Sequence, residues 1–258
     1  MRTLTPCRID EVNQSQLVAV SVRDSDGPTY VPEHCHRRAQ LLYASKGILQ
    51  VSTELGIWVV PSNQAVWVPA NTIHEVMTRG AVSTHSLFFK PAHSVHLLDT
   101  CCVVTISPLL RELILYASQM MQQEESDANK RIIEVILDQI KQLPSAPLFL
   151  PVSDDPRLNK IMELLQANPA NQNSLEEWGS FVGSSPRTLA RLFLSRTGYT
   201  FGQWREQVRV LAALEGLARG KSVTSLAFEL GYQSQSAFIE MFKRSLGKTP
   251  GQFFRDRG

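Results

Sequence analysis

The chain has 258 residues, of which 43% are hydrophobic and 19% are charged, and its formal net charge is +2. This length is enough for two domains, and the composition excludes a disordered chain, a collagen-like chain and a small disulfide scaffold. The N-terminus lacks the apolar core of a signal peptide, and charges and prolines interrupt every stretch of about 18 residues, so we expect a cytoplasmic protein without a membrane partner.

Short β-branched and aromatic runs, separated by Gly, Pro and Asn, fill the chain up to about Lys90. Runs of this length and composition are typical of antiparallel strands. Two amphipathic helices are expected next, one beginning after Ser107 and one from Asn129, because apolar residues recur there at three-and-four spacing. The first part of the chain is therefore predicted to be antiparallel β followed by helices.

A proline-rich segment, residues 144–156, comes after the second of these helices. Proline ends helices and stiffens connections, so this segment is predicted to be the linker between a domain of residues 1–143 and a domain of residues 157–258. The second domain is predicted to be helical, and it carries the positive charge. From Phe181 to the C-terminus there are 12 Lys or Arg and 5 Asp or Glu, which indicates contact with a polyanion.

The basic domain contains an internal repeat at an offset of 48 residues, which becomes 49 after the first turn. The paired positions are Ser174 with Ser222, Gly183 with Gly231, Phe193 with Phe242, Gly198 with Gly247, Thr200 with Thr249, Gly202 with Gly251 and Gln203 with Gln252. Each copy has a serine that can cap a short helix, a glycine for the tight turn and an apolar second helix. This pattern predicts two helix-turn-helix units, at about residues 174–198 and 222–247.

A single helix from Phe201 to Ala218 is predicted to join the two units. A rigid helix of this length is roughly 25 Å long, and it could hold two recognition helices about one DNA turn apart. One chain would then read two adjacent segments of the major groove.

The second helix of each unit presents an outward face of residue types that read base edges. Arginine makes a bidentate contact with guanine, glutamine with adenine, and glutamate accepts a hydrogen bond from cytosine. The alternative is a face that only contacts solvent, but the repeat and the basic charge favour DNA. The predicted DNA-binding residues are Arg187, Thr188, Ala190 and Arg191 in the first unit and Gln235, Ser236, Glu240 and Lys243 in the second.

Three consecutive segments, SLEEWGSFVGSSPRTLARLFLSRTG, REQVRVLAALEGLARG and SVTSLAFELGYQSQSAFIEMFKRSLGKTPGQFF, resemble the DNA-binding domain of the AraC/XylS family of bacterial transcription regulators. The resemblance implies two helix-turn-helix units joined by a helix. It assigns base contacts to Arg187, Ala190, Arg191, Gln235, Ser236 and Glu240. Ala190 departs from the pattern, because relatives often have a longer polar side chain there, and it implies contact with a thymine methyl group or no contact.

The β domain contains His34, His36 and Gln40, and later His74. Histidines at i and i+2 on a strand project to the same side, and a third histidine from elsewhere can complete a metal site. The spacing resembles the two cupin motifs, with Gln40 in place of the cupin glutamate, and an amide is a weaker, uncharged ligand. Three interpretations stay open: these side chains line an effector pocket, bind a divalent metal or belong to the core. The predicted metal ligands are His34, His36 and His74.

Aromatic residues flank these positions, and a barrel mouth lined by aromatic rings and imidazoles suits a small aromatic or nitrogenous effector. The predicted effector-binding residues are His34, His36, Gln40, Tyr43, Trp67 and His74. The segment WVVPSNQAVWVPANTIHEV resembles a cupin-bearing subgroup of the same family, which includes a regulator of a nitroimidazole exporter and a repressor of iron-containing proteins. That resemblance implies a cupin-like sensor barrel.

The predicted fold class is therefore α+β in two domains: a cupin-like antiparallel β-barrel with following helices, then an all-α domain of two helix-turn-helix units joined by a helix. The predicted function is a sequence-specific DNA-binding transcription regulator, not an enzyme, in which an effector acts through the helices of residues 107–143. The expected partners are double-stranded DNA, a small-molecule effector, a second copy in a homodimer, and RNA polymerase if the protein is an activator.

Two other classes of function remain as alternatives. A cupin metalloenzyme with an appended helical domain would need a charged carboxylate ligand and a full complement of divalent metal, and Gln40 weakens that alternative. An architectural DNA-binding protein would have similar affinity for random and specific DNA, which the arginine and glutamine faces argue against.

Overall fold

The computed structural model describes residues 5–6, 18–94, 98–120 and 126–255. The chain divides into two compact units, one of Met1–Glu54 with Trp58–Leu148 and the other of Leu55–Ile57 with Phe149–Gly258. None of the described helices is both long and apolar enough to span a bilayer.

The first unit is built from two β-sheets. Its strands are β1 (Thr5–Pro6), β2 (Val18–Ser25), β3 (Thr29–Cys35), β4 (Ala39–Lys46), β5 (Ile48–Thr53), β6 (Gly56–Pro61), β7 (Gln64–Val68), β8 (His74–Thr78), β9 (Val82–Phe89), β10 (Cys102–Thr105) and β11 (Ser145–Ala146). One sheet has the order β1-β3-β8-β5-β6 and the other β11-β10-β7-β4-β9-β2. The pairs β2–β9, β9–β4, β4–β7 and β7–β10 are antiparallel, in agreement with the prediction.

Three helices belong to the same unit: α1 (Pro91–Ser94), α2 (Pro108–Met120) and α3 (Asp127–Ile140). The Ser107 hydroxyl accepts a hydrogen bond from the Leu110 backbone N–H at 3.2 Å, so the predicted start of α2 is confirmed. Helix α3 begins two residues before the predicted Asn129, because the Ser126 side chain caps it.

The apolar stripes of α2 and α3 pack against the second sheet within the first unit. Leu110, Ile114 and Ala117 of α2 and Ile133, Ile136, Leu137 and Ile140 of α3 form one buried cluster with strand residues of the second sheet. Because these stripes are buried within the unit, they are not available to a partner. Three other apolar side chains of the two helices stay exposed: Leu109 at 56%, Tyr116 at 50% and Val135 at 43%.

The predicted linker of residues 144–156 is more ordered than its prolines indicate. Strand β11 lies in it and pairs with β10, and a further strand, β12 (Phe149–Pro151), follows within the second unit. Leu148 and Leu150 are buried, because an apolar run gains more free energy from burial than from exposure in a flexible connection. The unit boundary, between Leu148 and Phe149, falls inside this segment.

The second unit is helical. Its helices are α4 (Pro156–Ala167), α5 (Leu175–Val182), α6 (Pro186–Thr197), α7 (Phe201–Ala218), α8 (Val223–Glu229), α9 (Gln235–Leu246) and α10 (Pro250–Arg255). The predicted connecting helix coincides with α7. Trp178, Phe193 and Trp204 are buried in the first half of this unit and Leu226, Phe238 and Phe242 in the second.

The caps and turns of the two repeats are equivalent. Ser174 and Ser222 cap α5 and α8, and Gly183 and Gly231 have positive φ angles of 67° and 80° in the turns that follow. Thr200 caps α7 through reciprocal bonds with Gln203, and Thr249 makes the same bonds with Gln252. A Cβ on Gly179 would lie 2.4 Å from the Ser184 carbonyl oxygen, so only glycine permits this close packing of the first turn. The serine, glycine and threonine positions that recur in the repeat therefore form the same caps and turns in both units.

Candidate nucleic-acid interface and histidine cluster

Helix α6 separates its core residues from its outward face. Leu189 and Phe193 are fully buried, whereas Arg187, Ala190 and Arg191 are exposed. Ser185 caps the helix by accepting a hydrogen bond from the Thr188 backbone N–H, and Pro186 occupies the first turn, where its missing N–H is not needed. The period of the helix thus places three of the four predicted residues of the first unit on one surface.

The fourth residue, Thr188, is half-buried, and its hydroxyl lies 2.9 Å from the Ser185 hydroxyl. Its oxygen is therefore engaged at the start of the helix. Across the described part of the chain, no carboxylate lies within 4.0 Å of the guanidinium groups of Arg187 and Arg191. Both arginines keep their donors available for an external acceptor.

Helix α9 repeats this arrangement in the second unit. Phe238, Met241 and Phe242 are buried. The predicted residues Gln235, Ser236, Glu240 and Lys243 are exposed, and Ala237, which the sequence analysis did not select, is exposed among them. A small apolar side chain on such a face is suited to contact with a thymine methyl group.

The Gln235 amide is oriented by a residue of another helix. The Thr224 hydroxyl of α8 donates a hydrogen bond to Gln235 Oε1 at 2.9 Å. This bond holds the amide oxygen towards α8 and leaves both amide hydrogens available for a base acceptor. Sequence reasoning missed Thr224, because its contact joins two helices and follows no helical spacing.

The three histidines of the barrel lie together. His34 of β3 and His74 of β8 are directly opposite in an antiparallel pair, and their ring centroids are 4.3 Å apart. The His36 ring centroid is 5.1 Å from that of His74. One nitrogen of each ring lies within 4.8 Å of the others, so one ion can reach all three.

Backbone carbonyl groups set the tautomer of each ring. His34 Nδ1 is 2.8 Å from the Pro32 oxygen and His74 Nδ1 is 2.9 Å from the Thr72 oxygen, while His36 Nδ1 bonds the Arg38 oxygen. Because a carbonyl oxygen only accepts, each Nδ1 carries a hydrogen, and the buried Nε2 of His74 is left with a lone pair. Such carbonyl contacts are the usual way of presenting histidine to a metal.

His74 Nε2 is buried and has no hydrogen-bond partner among the described residues. Burial lowers the pKa of His74 to about 3, so the ring is neutral near pH 7, which is the form that binds metals. Gln40 Oε1 lies 3.2 Å from His36 Nε2, and Gln40 Nε2 donates to the Ser86 hydroxyl at 3.0 Å. The cluster therefore combines three imidazole nitrogens with one amide oxygen.

Two of the predicted effector-binding residues, Tyr43 and Trp67, lie elsewhere. Both are fully buried in the cluster that packs against α2 and α3. The Tyr43 hydroxyl donates to Asn63 Oδ1 at 3.2 Å and Trp67 Nε1 donates to the Leu98 oxygen at 2.8 Å. Successive residues of a strand face opposite sides, so Tyr43, an odd number of positions from Gln40, lies on the other face of β4.

Comparisons with known proteins decide the family. The sequence profile of the helix-turn-helix domain family matches residues 178–256. The HTH-type transcriptional regulator NimR of Escherichia coli K12 is 39% identical over 223 residues, which are 86% of this chain and 81% of NimR. The chain belongs to the AraC/XylS family of transcriptional regulators.

Two further comparisons cover different shares of the chain. The HTH-type transcriptional regulator RipA of Corynebacterium glutamicum is 38% identical over 112 residues, which are 43% of this chain and 33% of RipA. Among solved structures, ToxT from Vibrio cholerae aligns with a TM-score of 0.40 and 12% identity, over 93% of this chain and 98% of ToxT.

Membership of the AraC/XylS family confirms the predicted function class, a DNA-binding transcription regulator. The two-domain fold class, antiparallel sheets followed by a helical domain with two helix-turn-helix units, is confirmed as well. The individual DNA contacts, the effector and the oligomeric state stay predictions.

In this family member, replacing Thr224 with Val is expected to change base preference more than fold. Valine keeps the shape of threonine but removes the hydroxyl that orients Gln235, so the amide can rotate. We expect the affinity for the operator to fall by about 0.5–1.5 kcal/mol. We expect the preference for one base over the others to weaken at a single position of the operator. Binding to a panel of single-base variants measures this, and Thr224→Ser, which keeps the hydroxyl, is the control. An unchanged preference at every position would rule out the positioning role.

Proposed function

We propose that the chain is a sequence-specific regulator that reads two adjacent major-groove segments with α6 and α9, and that a ligand at the barrel histidines controls it. The observation that carries the DNA-reading part is the pair of outward faces on equivalent helices. Arg187 and Arg191 lie on one face without a carboxylate partner in the described chain, and Gln235 with Glu240 on the other. Donors and acceptors on two faces match a base sequence better than a uniform positive surface does.

A late first-row divalent metal fits the donor set of the barrel. One nitrogen of each of the three imidazole rings lies within 4.8 Å of the others, and Gln40 Oε1 adds an oxygen donor beside His36. Nitrogen donors favour ions such as Zn²⁺, Ni²⁺ or Fe²⁺ over Mg²⁺ or Ca²⁺. With an amide in place of a carboxylate, the bound ion keeps its full positive charge, which favours an anionic or nitrogenous effector as an additional ligand.

The same donor set supports a sensor in preference to an enzyme. The histidine cluster contains no carboxylate among its described ligand atoms, so the charged ligand that a cupin metalloenzyme needs is not part of it. The relatives at 39% and 38% identity are transcriptional regulators. Effector binding then acts as a population shift, in which the ligand binds the DNA-competent arrangement with a different affinity from the other.

A second copy of the chain is the partner that the exposed helix residues support. Leu109 and Tyr116 of α2 and Val135 of α3 remain exposed although the main apolar stripes are buried. Exposed apolar side chains of this size, on helices adjacent to the sensor, are suited to a homodimer interface. RNA polymerase becomes a further partner where the bound regulator activates transcription.

Selection of DNA from a random-sequence pool by the full-length protein tests the proposal. We expect enrichment of one sequence family with two conserved segments about one DNA turn apart. An architectural protein would enrich no sequence family, and that outcome would contradict sequence-specific reading. The same selection with metal-loaded and chelator-treated protein shows whether the barrel ligand changes the affinity.

A further inference from the structure

A cleft of about 730 Å³ lies between the first half of α7 and helix α9 in the second unit. Its walls include three arginines and two glutamates, so its formal charge is positive: Arg205, Arg209, Arg244, Glu206 and Glu240. None of these residues was assigned to the reading faces except Glu240. The distribution of charge within the cleft indicates what it can bind.

Arg205 is the partly exposed arginine of the cleft that has no carboxylate partner. Its guanidinium lies 5.1 Å from the Phe201 ring centroid and donates to the Asn173 carbonyl oxygen at 3.3 Å. No carboxylate lies within 4.0 Å of it in the described chain. Burial, and then repulsion by Arg209, lowers the pKa of Arg205. Arg205 keeps its charge despite this shift. An anion bound beside it would offset both the lost hydration of the guanidinium and its repulsion by Arg209.

The other charges of the cleft are already engaged. Arg209 is buried and donates to the Pro169 oxygen at 2.9 Å and the Asn171 oxygen at 3.3 Å, so it anchors a loop. Arg244 and Glu206 form an ion pair at 2.6 Å and largely cancel each other. Glu240 is exposed and disfavours an anion at its own end of the cleft. An anion would therefore bind at the Arg205 end.

The cleft opens at the edge of the reading face of α9. Ala237 and Glu240 line it, and both are exposed on α9. Residues in the first turn of α7, Gly202 and Gln203, line the opposite side, where the helix N-terminus favours negative charge. Duplex DNA that receives α9 in its major groove carries a sugar-phosphate strand along each edge of that groove.

We propose that this cleft binds one phosphodiester of the operator backbone, with Arg205 as the residue that clamps it. The inference rests on the proposed entry of α9 into the major groove. It assigns to α7, the connecting helix, a direct contact with DNA. A phosphate contact of this kind positions the protein on the duplex and carries no sequence information.

Replacement of Arg205 with Gln tests the clamp, with Arg219→Gln as the matched control. Arg219 follows the last turn of the same helix and is ion-paired with Glu215 at 3.1 Å, so both changes remove one positive charge. Dissociation constants are measured against salt concentration for a selected duplex and for a scrambled duplex of the same composition. We expect Arg205→Gln to bind both duplexes about tenfold more weakly and to reduce the salt slope by about 0.9, while Arg219→Gln leaves the slope unchanged.

Neutral methylphosphonate groups, placed at single backbone positions of the selected duplex, locate the contact. We expect one position to weaken binding by the wild-type protein and to have no effect on Arg205→Gln. If Arg205→Gln fails to fold, Arg205→Lys keeps the charge and is expected to keep the sensitivity to that position. Equal slope losses in both Gln variants, or an unchanged slope in Arg205→Gln, would overturn the proposal.

A free-anion site is distinguished with inorganic pyrophosphate. If pyrophosphate alone raises the melting temperature of the wild-type protein but not of Arg205→Gln, and the salt slope of DNA binding is unchanged, the cleft binds a free anion and the clamp is overturned. Failure of the proposed function has a different signature, because the wild-type protein would then bind the selected and scrambled duplexes equally.

Discussion

Replacing Arg191 with Ala is expected to weaken operator binding by about 1–3 kcal/mol and to relax base preference in one segment of the operator. Arg191 is exposed on α6, and its guanidinium has no carboxylate within 4.0 Å in the described chain. It is free to make a bidentate contact with guanine O6 and N7. Because Leu189 and Phe193 hold the helix in the core from the opposite face, the substitution removes the contact without removing packing.

Arg196→Ala is the matched control for this experiment. Arg196 lies at the C-terminal end of the same helix and faces Asp154 at 3.6 Å, so its loss removes the same charge from a different place. We expect Arg196→Ala to change affinity for all duplexes slightly and base preference not at all. Equal behaviour of the two variants would mean that Arg191 contributes only charge, and the base-reading assignment of α6 would be wrong.

The second large effect is expected at the histidine cluster. His74→Asn removes the buried Nε2 atom that has no partner among the described residues, and we expect the affinity for a divalent metal to fall at least 100-fold. Metal content of the purified full-length chain and a calorimetric titration with Zn²⁺ or Ni²⁺ measure this. His85→Asn is the control, because His85 belongs to the same domain and bonds Ser118 Oγ at 3.1 Å outside the cluster.

Metal affinity that is equal in wild-type protein, His74→Asn and His85→Asn would contradict the metal site. The effector pocket would then remain as the interpretation of these histidines. The DNA-reading faces would be unaffected, because they belong to the other unit.

The pH dependence of stability gives a separate test of His74. Burial lowers its pKa to about 3 in the folded chain, against about 6.5 when unfolded. Between these two pKa values the His74 ring is protonated in the unfolded chain and neutral in the folded chain. Protonation of His74 in the unfolded chain therefore lowers the free energy of unfolding of the metal-free barrel as the pH falls from about 6.5 towards about 3. We expect His74→Asn to flatten this loss in denaturant unfolding measured across that range, and an unaltered pH profile would argue against a buried neutral imidazole.

Local signals in the sequence predicted the helical unit well. Serine, threonine and glycine recur at matched positions of the repeat, and each acts within its own turn or helix end: Ser174, Gly183, Thr200 and their partners. Such short-range chemistry does not depend on distant residues. The reading faces of α6 and α9 followed from helical period alone.

Features that depend on pairing between distant segments were predicted less well. Strand parity excludes Tyr43 from the face of Gln40, and Trp67 pairs with Leu41 on the same buried side. The orientation of Gln235 by Thr224 and the cleft between α7 and α9 both arise where separate helices meet. No periodicity reports contacts of this kind, because they depend on tertiary packing.

Genome-wide mapping of the sites bound by the full-length chain tests sequence-specific regulation most directly. Sequence-specific reading predicts discrete peaks at promoters that share two short segments about one DNA turn apart. It also predicts that Arg191→Ala loses these peaks while Arg196→Ala keeps them. Broad coverage without a shared sequence, equal in the wild-type protein and in Arg191→Ala, would contradict it.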